Sequence, residues 1–284
     1  MTAAGIVLLP GRNELISRPR LVAIDVDHTL IRSDRSLAEA TVDAVAEARA
    51  AGIVVALASS RPPGGLWLYL EALGLIEPAA FVGFQGALVG AFSATGDLTV
   101  HATSPLDVGD ALAAAAVART VGLVTNWYTA DGWFVDALSA PVQQEAAIVN
   151  MQPKLVTDMA SLPAPLKLLF IADRPGQIDQ LVPRLPSSVT AETSNPAYLE
   201  VTAVGVDKAT GVRVAAARSG IELRDVVAIG DGRNDLGLFR RVGGSIAPAN
   251  ADPAVLAEAN YLTASNNEDG VAIALRWLAD LPVP

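Results

Sequence analysis

Residues 20–34 read RLVAIDVDHTLIRSD. Four apolar residues, Leu21 to Ile24, run straight into two carboxylates, Asp25 and Asp27, with a single valine between them. An unbroken apolar run of this length fits a strand buried on both faces of a parallel sheet. Placing acids against such a strand is costly unless something pairs with them. The stretch therefore predicts both a buried strand and partners for its carboxylates.

Working outward, the same pattern repeats. Residues 37–51 carry apolar residues at helical spacing and stop at Gly52, where glycine suits a C-cap. IVVALAS (53–59) predicts a second buried strand, 62–74 a helix opened by prolines, and AAFVGF (79–84) a third strand. Near the C-terminus a helix over 207–219 precedes DVVAIGD (225–231), again a buried strand ending on a carboxylate, and short helix–strand pairs follow. Strand–helix alternation of this kind marks an open α/β sheet. Residues 84–204 have another texture. DLTVHAT (97–103), WFVDAL (133–138) and AYLEVTA (197–203) alternate as half-buried antiparallel strands do, with helices near 107–121 and 176–185. The expected organisation is an α/β core from residues 18–83 and 205–284, an α+β insertion over 84–204, and an N-terminal arm over 1–17. That arm is either poorly ordered or added to a sheet edge.

Composition narrows the function classes. Of 284 residues, 51% are apolar and 18% charged, enough for a substantial core. Twenty basic against thirty acidic residues give a net charge of −10, which argues against a nucleic-acid or anionic-membrane surface. With no cysteine, disulfides, zinc thiolates and thiol nucleophiles are excluded. Two histidines, His28 and His101, do not make a multi-histidine metal site. The apolar patch Ile6–Leu9 is too short for a signal-peptide core, and nothing approaches the ~20 apolar residues of a membrane span. The reading is a soluble, cytoplasmic protein acting on a small molecule, with its oligomeric state left open.

Parallel strands joined by right-handed crossovers have their carboxyl ends on one edge, and ligands bind outside that edge. Asp25 and Asp27 end the first strand, Ser59, Ser60 and Arg61 the second, Gln85 and Gly86 the third, and Asp231, Asn234 and Asp235 the one near the C-terminus, with Lys208 opening the helix before it. Acids gathered at one edge repel unless a hard divalent cation such as Mg²⁺ joins them with phosphate oxygens. Lys208 and the Ser59 hydroxyl suit the remaining phosphate oxygens. One aspartate can then form an aspartyl-phosphate, and the other protonate the leaving oxygen and activate water. Taken singly, these residues have plainer readings. Asp25 and Asp27 are turn residues, Ser59 a helix cap, Lys208 a solvated helix residue and Arg61 half of an ion pair.

Order and spacing together resemble the haloacid dehalogenase-like phosphatases. D-V-D-H-T is similar to their first motif, D-x-D-x-T; Ser59 resembles the second-motif Ser/Thr, Lys208 the third-motif lysine and GDGRND the fourth motif. GVDKATGV and the size of the insertion resemble the Cof-type branch, whose insertion is an α/β cap. The resemblance implies a Rossmann-like parallel-sheet core domain with an inserted α+β cap domain. It implies Asp25 as nucleophile, Asp27 as acid/base, and Mg²⁺ on Asp25, Asp231 and the Asp27 backbone carbonyl. Ser59, Ser60, Lys208 and Asn234 would hold phosphate, with Asp235 supporting the metal or Lys208. Three positions depart from that branch: His28 stands for its usual glycine, Ser59-Ser60-Arg61 for Thr-Gly-Arg, and Gln85 for asparagine.

The expected activity is Mg²⁺-dependent hydrolysis of a small phosphomonoester: a sugar phosphate, a nucleotide or a phosphorylated cofactor. Phosphotransfer between sugars would use the same residues, and a phosphometabolite-binding sensor would need no nucleophile. Arg61, Gln85, Gly86 and Asn195 are substrate-binding candidates. Trp127, Tyr128, Trp133 and Phe134 read as the core of a small sheet, with a pocket wall as the alternative.

Overall fold

The computed structural model describes residues 5–15, 17–195 and 197–283; the side chains of Ser194 and Asn195 are not among them. The first half of the core contributes β1 (Val7–Leu8), β2 (Leu21–Ile24), α1 (Glu39–Ala50), β3 (Val54–Leu57), α2 (Pro63–Ala72) and β4 (Phe81–Gly83). A hairpin follows, β5 (Leu88–Phe92) and β6 (Leu98–Thr103). The insertion then runs α3 (Val108–Thr120), β7 (Asn126–Thr129), β8 (Gly132–Val135), α4 (Ala140–Val149), β9 (Lys154–Leu155), β10 (Lys167–Ile171), α5 (Gln177–Leu181), β11 (Val189–Asn195) and β12 (Tyr198–Ala203). The chain returns through α6 (Lys208–Arg218), β13 (Val226–Ile229), α7 (Leu236–Phe239), β14 (Gly244–Pro248), α8 (Pro253–Glu258), β15 (Tyr261–Thr263) and α9 (Gly270–Asp280).

The main sheet has the order β1-β15-β14-β13-β2-β3 and is parallel except for β1. All four residues of β2 are buried. Val22 and Ile24 pack in one layer with Val45 of α1 and Leu275 of α9, while Leu21 and Ala23 pack in the other with Val212 and Ala216 of α6. Burial on both faces is the reason this strand tolerates no polar residue before Asp25. From β2 the chain crosses to β3 on one side and later to β13 on the other. The gap between the carboxyl ends of β2 and β13 is therefore a topological switch point, where such sheets open a crevice.

The N-terminal stretch adds an edge strand: β1 pairs antiparallel with β15, Ile6 is fully buried, and the Leu15 N–H donates to the Tyr261 hydroxyl at 2.6 Å. The insertion has its own sheet, ordered β11-β12-β10-β7-β8-β9. Trp127, Tyr128 and Trp133 are at most 1% exposed: Trp127 packs with Phe170 and Val201 inside the insertion, Tyr128 and Trp133 pack in the layer that also holds Phe84, and Phe134 is half-buried. The helix expected over 176–185 is shorter: Pro183, lacking an N–H, ends the α ladder at α5, and the chain continues as a 3₁₀ turn over Val182–Arg184. Residues 88–103 were expected within the insertion, yet β5 and β6 extend from β4 as one antiparallel sheet and Val89 packs with Val82 and Ala209. A continuous sheet thus crosses the boundary drawn at residue 84. Among the described residues no helix is long and apolar enough to cross a membrane.

The turn after β4 presses against the start of α6. Gly86 has φ +107°, and a Cβ there would lie 2.1 Å from the Asp207 carbonyl oxygen. Only glycine permits this approach. Gly86→Ala is expected to lose at least about 2 kcal/mol through backbone strain and overpacking. Urea unfolding measures it, and stability within about 0.5 kcal/mol of wild type would contradict this account.

Candidate active site

At the end of β2 the Asp25 N–H donates to the Ile229 carbonyl of β13 at 2.9 Å, so the first acid sits in the crevice between the two strands. The chain then coils through a wide turn, Val26–Leu30, closed by the Leu30 N–H on the Asp25 carbonyl at 3.2 Å. Inside it Asp27 is extended and His28 is left-handed, with φ 59° and ψ 7°. A glycine takes that conformation freely, and histidine is among the few other residues enriched there. The turn carries Thr29 to Asp231, whose Oδ1 accepts the Thr29 hydroxyl at 2.8 Å.

Lys208 opens α6 at a capping box formed by Asp207 and Thr210. Its Nζ donates to Asp25 Oδ1 at 2.5 Å and to Asp235 Oδ1 at 2.7 Å. All three side chains are buried, and Asp235 Oδ2 also accepts the Gly232 N–H at 3.0 Å. Gly230 leaves room for this carboxylate: a Cβ there would come within 2.3 Å of Asp235 Cγ. Carboxylate oxygens of Asp25, Asp231 and Asp235 lie within 4.8 Å of one another. Hard oxygen donors in this number suit Mg²⁺. Asp235 has both oxygens engaged, by Lys208 and Gly232, while Asp25 and Asp231 each keep an oxygen that could ligate a cation.

The remaining expected residues fall around this centre. Arg61 is almost fully buried, and its guanidinium grips the Asp27 carboxylate with Nε at 2.8 Å and Nη2 at 2.7 Å. Its Nη1 reaches the Ile148 carbonyl of α4 at 3.3 Å, which links the acid to the insertion. Ser59 is buried, its hydroxyl accepting the Arg61 N–H at 3.1 Å, whereas Ser60 is half-buried beside Asp27. Gln85 is also left-handed, at φ 57°, a conformation asparagine adopts more readily. Gln85 Oε1 accepts from Asn234 Nδ2 at 3.2 Å, while its Nε2 is buried without a partner among the described residues. Gly86 serves the close packing on α6. Asn195 pairs through its backbone with Tyr198, and its side chain lies outside the described residues.

Two groups escaped the sequence reading. Thr29 is the last letter of D-V-D-H-T, and only the folded turn gives it a partner. Lys167, Glu200, Glu145 and Tyr198 of the insertion line a cavity of about 320 Å³ together with Asp27 and Ser60. Lys167 carried a usable signal, since it heads the apolar run LLFI much as Asp25 follows its own.

Burial drives the Asp25 carboxyl well above its ordinary range; Lys208 opposes this, and the charges of Asp235 and Asp231 add to it. Asp231 is pushed up to about 6, by burial first and by Asp235 second. Burial also works against the charge on Asp27, but the hydrogen bonds and charge of Arg61 prevail and hold it below its usual value. A carboxyl with a raised folded pKa stabilises the fold at low pH and loses that contribution as pH climbs through the folded value. Asp27, shifted the other way, contributes stability that stays constant over this range and is lost only as pH falls to more acidic values. Metal-free protein is therefore expected to melt lower at about pH 7.5 than at about pH 5, with Mg²⁺ restoring most at the higher pH. Asp231→Asn should flatten the pH slope and shrink the Mg²⁺ effect in thermal melts. An unchanged Mg²⁺ shift in that variant would remove Asp231 from the cation site.

The model of the haloacid dehalogenase-like hydrolases matches residues 22–275 of this chain. YxeH of Bacillus subtilis (strain 168) is 31% identical over 270 residues, spanning 91% of this chain and 98% of its own. The HMP-PP phosphatase of Shigella flexneri is 29% identical over 257 residues, spanning 86% of this chain and 89% of its own. The crystal structure of a haloacid dehalogenase-like hydrolase from Bacteroides thetaiotaomicron superposes with a TM-score of 0.80 at 27% identity, over 92% of this chain and 100% of the other. A parallel sheet with acids at its switch point, an inserted second sheet and these matches lead to one assignment: the chain belongs to the haloacid dehalogenase-like hydrolases, as a phosphatase of the Cof type.

Proposed function

We propose that this phosphatase hydrolyses small phosphomonoesters with Mg²⁺ through an aspartyl-phosphate on Asp25. The observation that carries the reading is the placement of Asp25, with one oxygen on the buried ammonium of Lys208 at 2.5 Å and Asp231 within 4.8 Å. An acid so placed has one oxygen balanced by Lys208 and can present its other oxygen to phosphorus. Asp25, Asp231 and the Asp27 main-chain carbonyl would hold Mg²⁺, which would supply further neutralisation of the phosphoryl oxygens.

In the first step a bond forms between Asp25 and phosphorus as the bond to the leaving oxygen breaks, and Asp27 delivers the proton that oxygen takes. In the second, Asp27 as carboxylate removes a proton from the water that attacks phosphorus, the bond between Asp25 and phosphorus breaks, and phosphate leaves with Asp25 restored as a carboxylate. Arg61 holds Asp27 ionised, the state the second step needs. To protonate the leaving oxygen Asp27 must part from Arg61 and take up a proton, from solvent in the first turnover and from the attacking water of the previous cycle thereafter. Lys208 and Asn234 hold phosphate oxygens, with Ser59 and Ser60 shaping the loop beneath. The unpartnered Nε2 of Gln85, hydrogen-bonded neighbour of Asn234, supports an acceptor oxygen arriving there. Asp235 keeps Lys208 charged and in place: burial opposes the ammonium, and Asp235 and Asp25 more than compensate. The cavity beside Asp27, about 320 Å³, supports a leaving group the size of a sugar, nucleoside or small cofactor.

Phosphate release from a panel of phosphorylated metabolites, with Mg²⁺ and then with EDTA, tests the reading. Asp25→Asn is expected to lower turnover at least about a thousandfold, and Asp27→Asn by about a hundred- to ten-thousandfold. Undiminished, Mg²⁺-dependent turnover in a clean Asp25→Asn preparation would refute it.

A further inference from the structure

We infer that a cavity at the amino edge of the main sheet, on the far side from Asp25, binds a small organic anion with an apolar body. It goes beyond the phosphatase reading and uses none of the residues on which that reading rests.

β3 starts at Val54 and runs parallel to β2, so its first residues lie at the opposite edge of the sheet from Asp25 and Ser59. Its outer side meets β4 through one bridge, Ala58 with Val82. Before that bridge the strand and residues 75–79 bound a cavity of about 340 Å³, a size that admits a small ligand. Val55, Leu75, Ile76 and Ala79 give it apolar walls.

Two arginines also line it, Arg49 from the end of α1 and Arg218 from the end of α6, helices that pack on opposite faces of the sheet. Neither has a hydrogen-bond or ion-pair partner among the described residues, although the chain carries a net charge of −10. Arg18 and Arg20 add positive charge beside them. Their guanidiniums donate to the Ala51 carbonyl at 2.8 Å and the Gly220 carbonyl at 2.9 Å, neutral acceptors adjoining the lining residues Gly52 and Ser219. Asp225 stands 4.0 Å from Arg20, and Glu77, between Ile76 and Pro78, is exposed; no acid is among the lining residues.

The strand itself leaves groups to be matched. The Val54 N–H donates toward β2, to the Arg20 carbonyl at 2.9 Å. Successive residues of a strand direct their backbone groups to alternate edges, so those of Val55 face the cavity. Val55 is 2% exposed, and neither its N–H nor its carbonyl has a partner among the described residues. Buried backbone groups normally have one.

These features together define the ligand. Two guanidiniums without acids call for a carboxylate, sulfonate or phosphoryl group. The apolar walls call for an apolar body, and Val55 offers a hydrogen bond to a polar atom on it. A cation would be repelled, and an inorganic anion would leave the walls uncovered.

The test titrates 8-anilinonaphthalene-1-sulfonate into the folded protein and follows its fluorescence. Wild type is expected to bind a single equivalent saturably, and the uncharged N-phenyl-1-naphthylamine at least about tenfold more weakly. Replacing both arginines, Arg49→Gln with Arg218→Gln, should weaken the sulfonate at least about tenfold and leave the uncharged probe unchanged. Both side chains are exposed, so the fold should survive their loss. Ala79→Phe, which fills the cavity, should abolish binding of either probe. The Val55 amide resonance should move on binding while that of Asp25 stays. Displacement of the probe by phenylphosphonate against displacement by benzoate separates a phosphoryl from a carboxylate ligand. Absence of saturable binding, an undiminished double variant, a shift at Asp25 in place of Val55, or displacement by neither competitor would overturn the inference. Loss of Mg²⁺- and Asp25-dependent phosphate release would bear on the phosphatase reading alone.

Discussion

One buried ammonium organises this molecule. Lys208 Nζ lies between Asp25 and Asp235, residues from the two separated halves of the core, with essentially no solvent on Lys208 or Asp235 and a small exposed part on Asp25. None of these charges could be desolvated alone, and removing one member of a buried pair typically costs about 3–5 kcal/mol. The surroundings fix the lysine closely. A capping box sets the start of α6, the turn at Gly86 braces that start from the side, and Gly230 leaves the space Asp235 occupies. The carboxyl end of β2 thereby becomes a place where acids can stay buried and still be reached by a ligand.

Unusual backbone gathers at the same place. His28, Phe84 and Gln85 all have positive φ without being glycine, and they belong to the two turns that flank the centre. Conformations of this kind cost of order 1–3 kcal/mol each and persist where the surroundings over-determine them. Here the turn at His28 aims Asp27 and Thr29 toward the crevice, and the turn at Gln85 brings an amide to Asn234. Much of the precision of the site comes from these two turns.

The core was legible because its pattern is redundant. Unbroken apolar runs, terminal acids and intervening helical periodicity all point to one sheet edge, so Asp25, Asp231, Asp235 and Lys208 meet where order and topology place them. The insertion was less legible. β10 and α4 passed unremarked, since short apolar runs do not distinguish helix from strand. The hairpin β5–β6 alternates like a strand of either domain, and only pairing with β4 assigns it. Arg61 was readable as an ion-pair residue or a substrate contact, and its grip on Asp27 depends on a turn whose shape no periodicity reveals. Thr29 and Lys167 make the same point, because their partners are distant in the chain.

The position of the insertion has a consequence for how the chain is made. β2 pairs with β3 soon after both are synthesised, through Leu21 and Val54, but its other edge waits for β13, through Val22 and Val227. Between them lies the whole insertion, whose apolar layer, including Leu106, Trp127, Phe170 and Val201, is complete before β13 leaves the ribosome. Pairings this distant in sequence are slow to close, and an open apolar strand edge is a site of misassembly. β2 thus stays paired on one edge only through most of translation, its other edge open until residues 226–229 arrive.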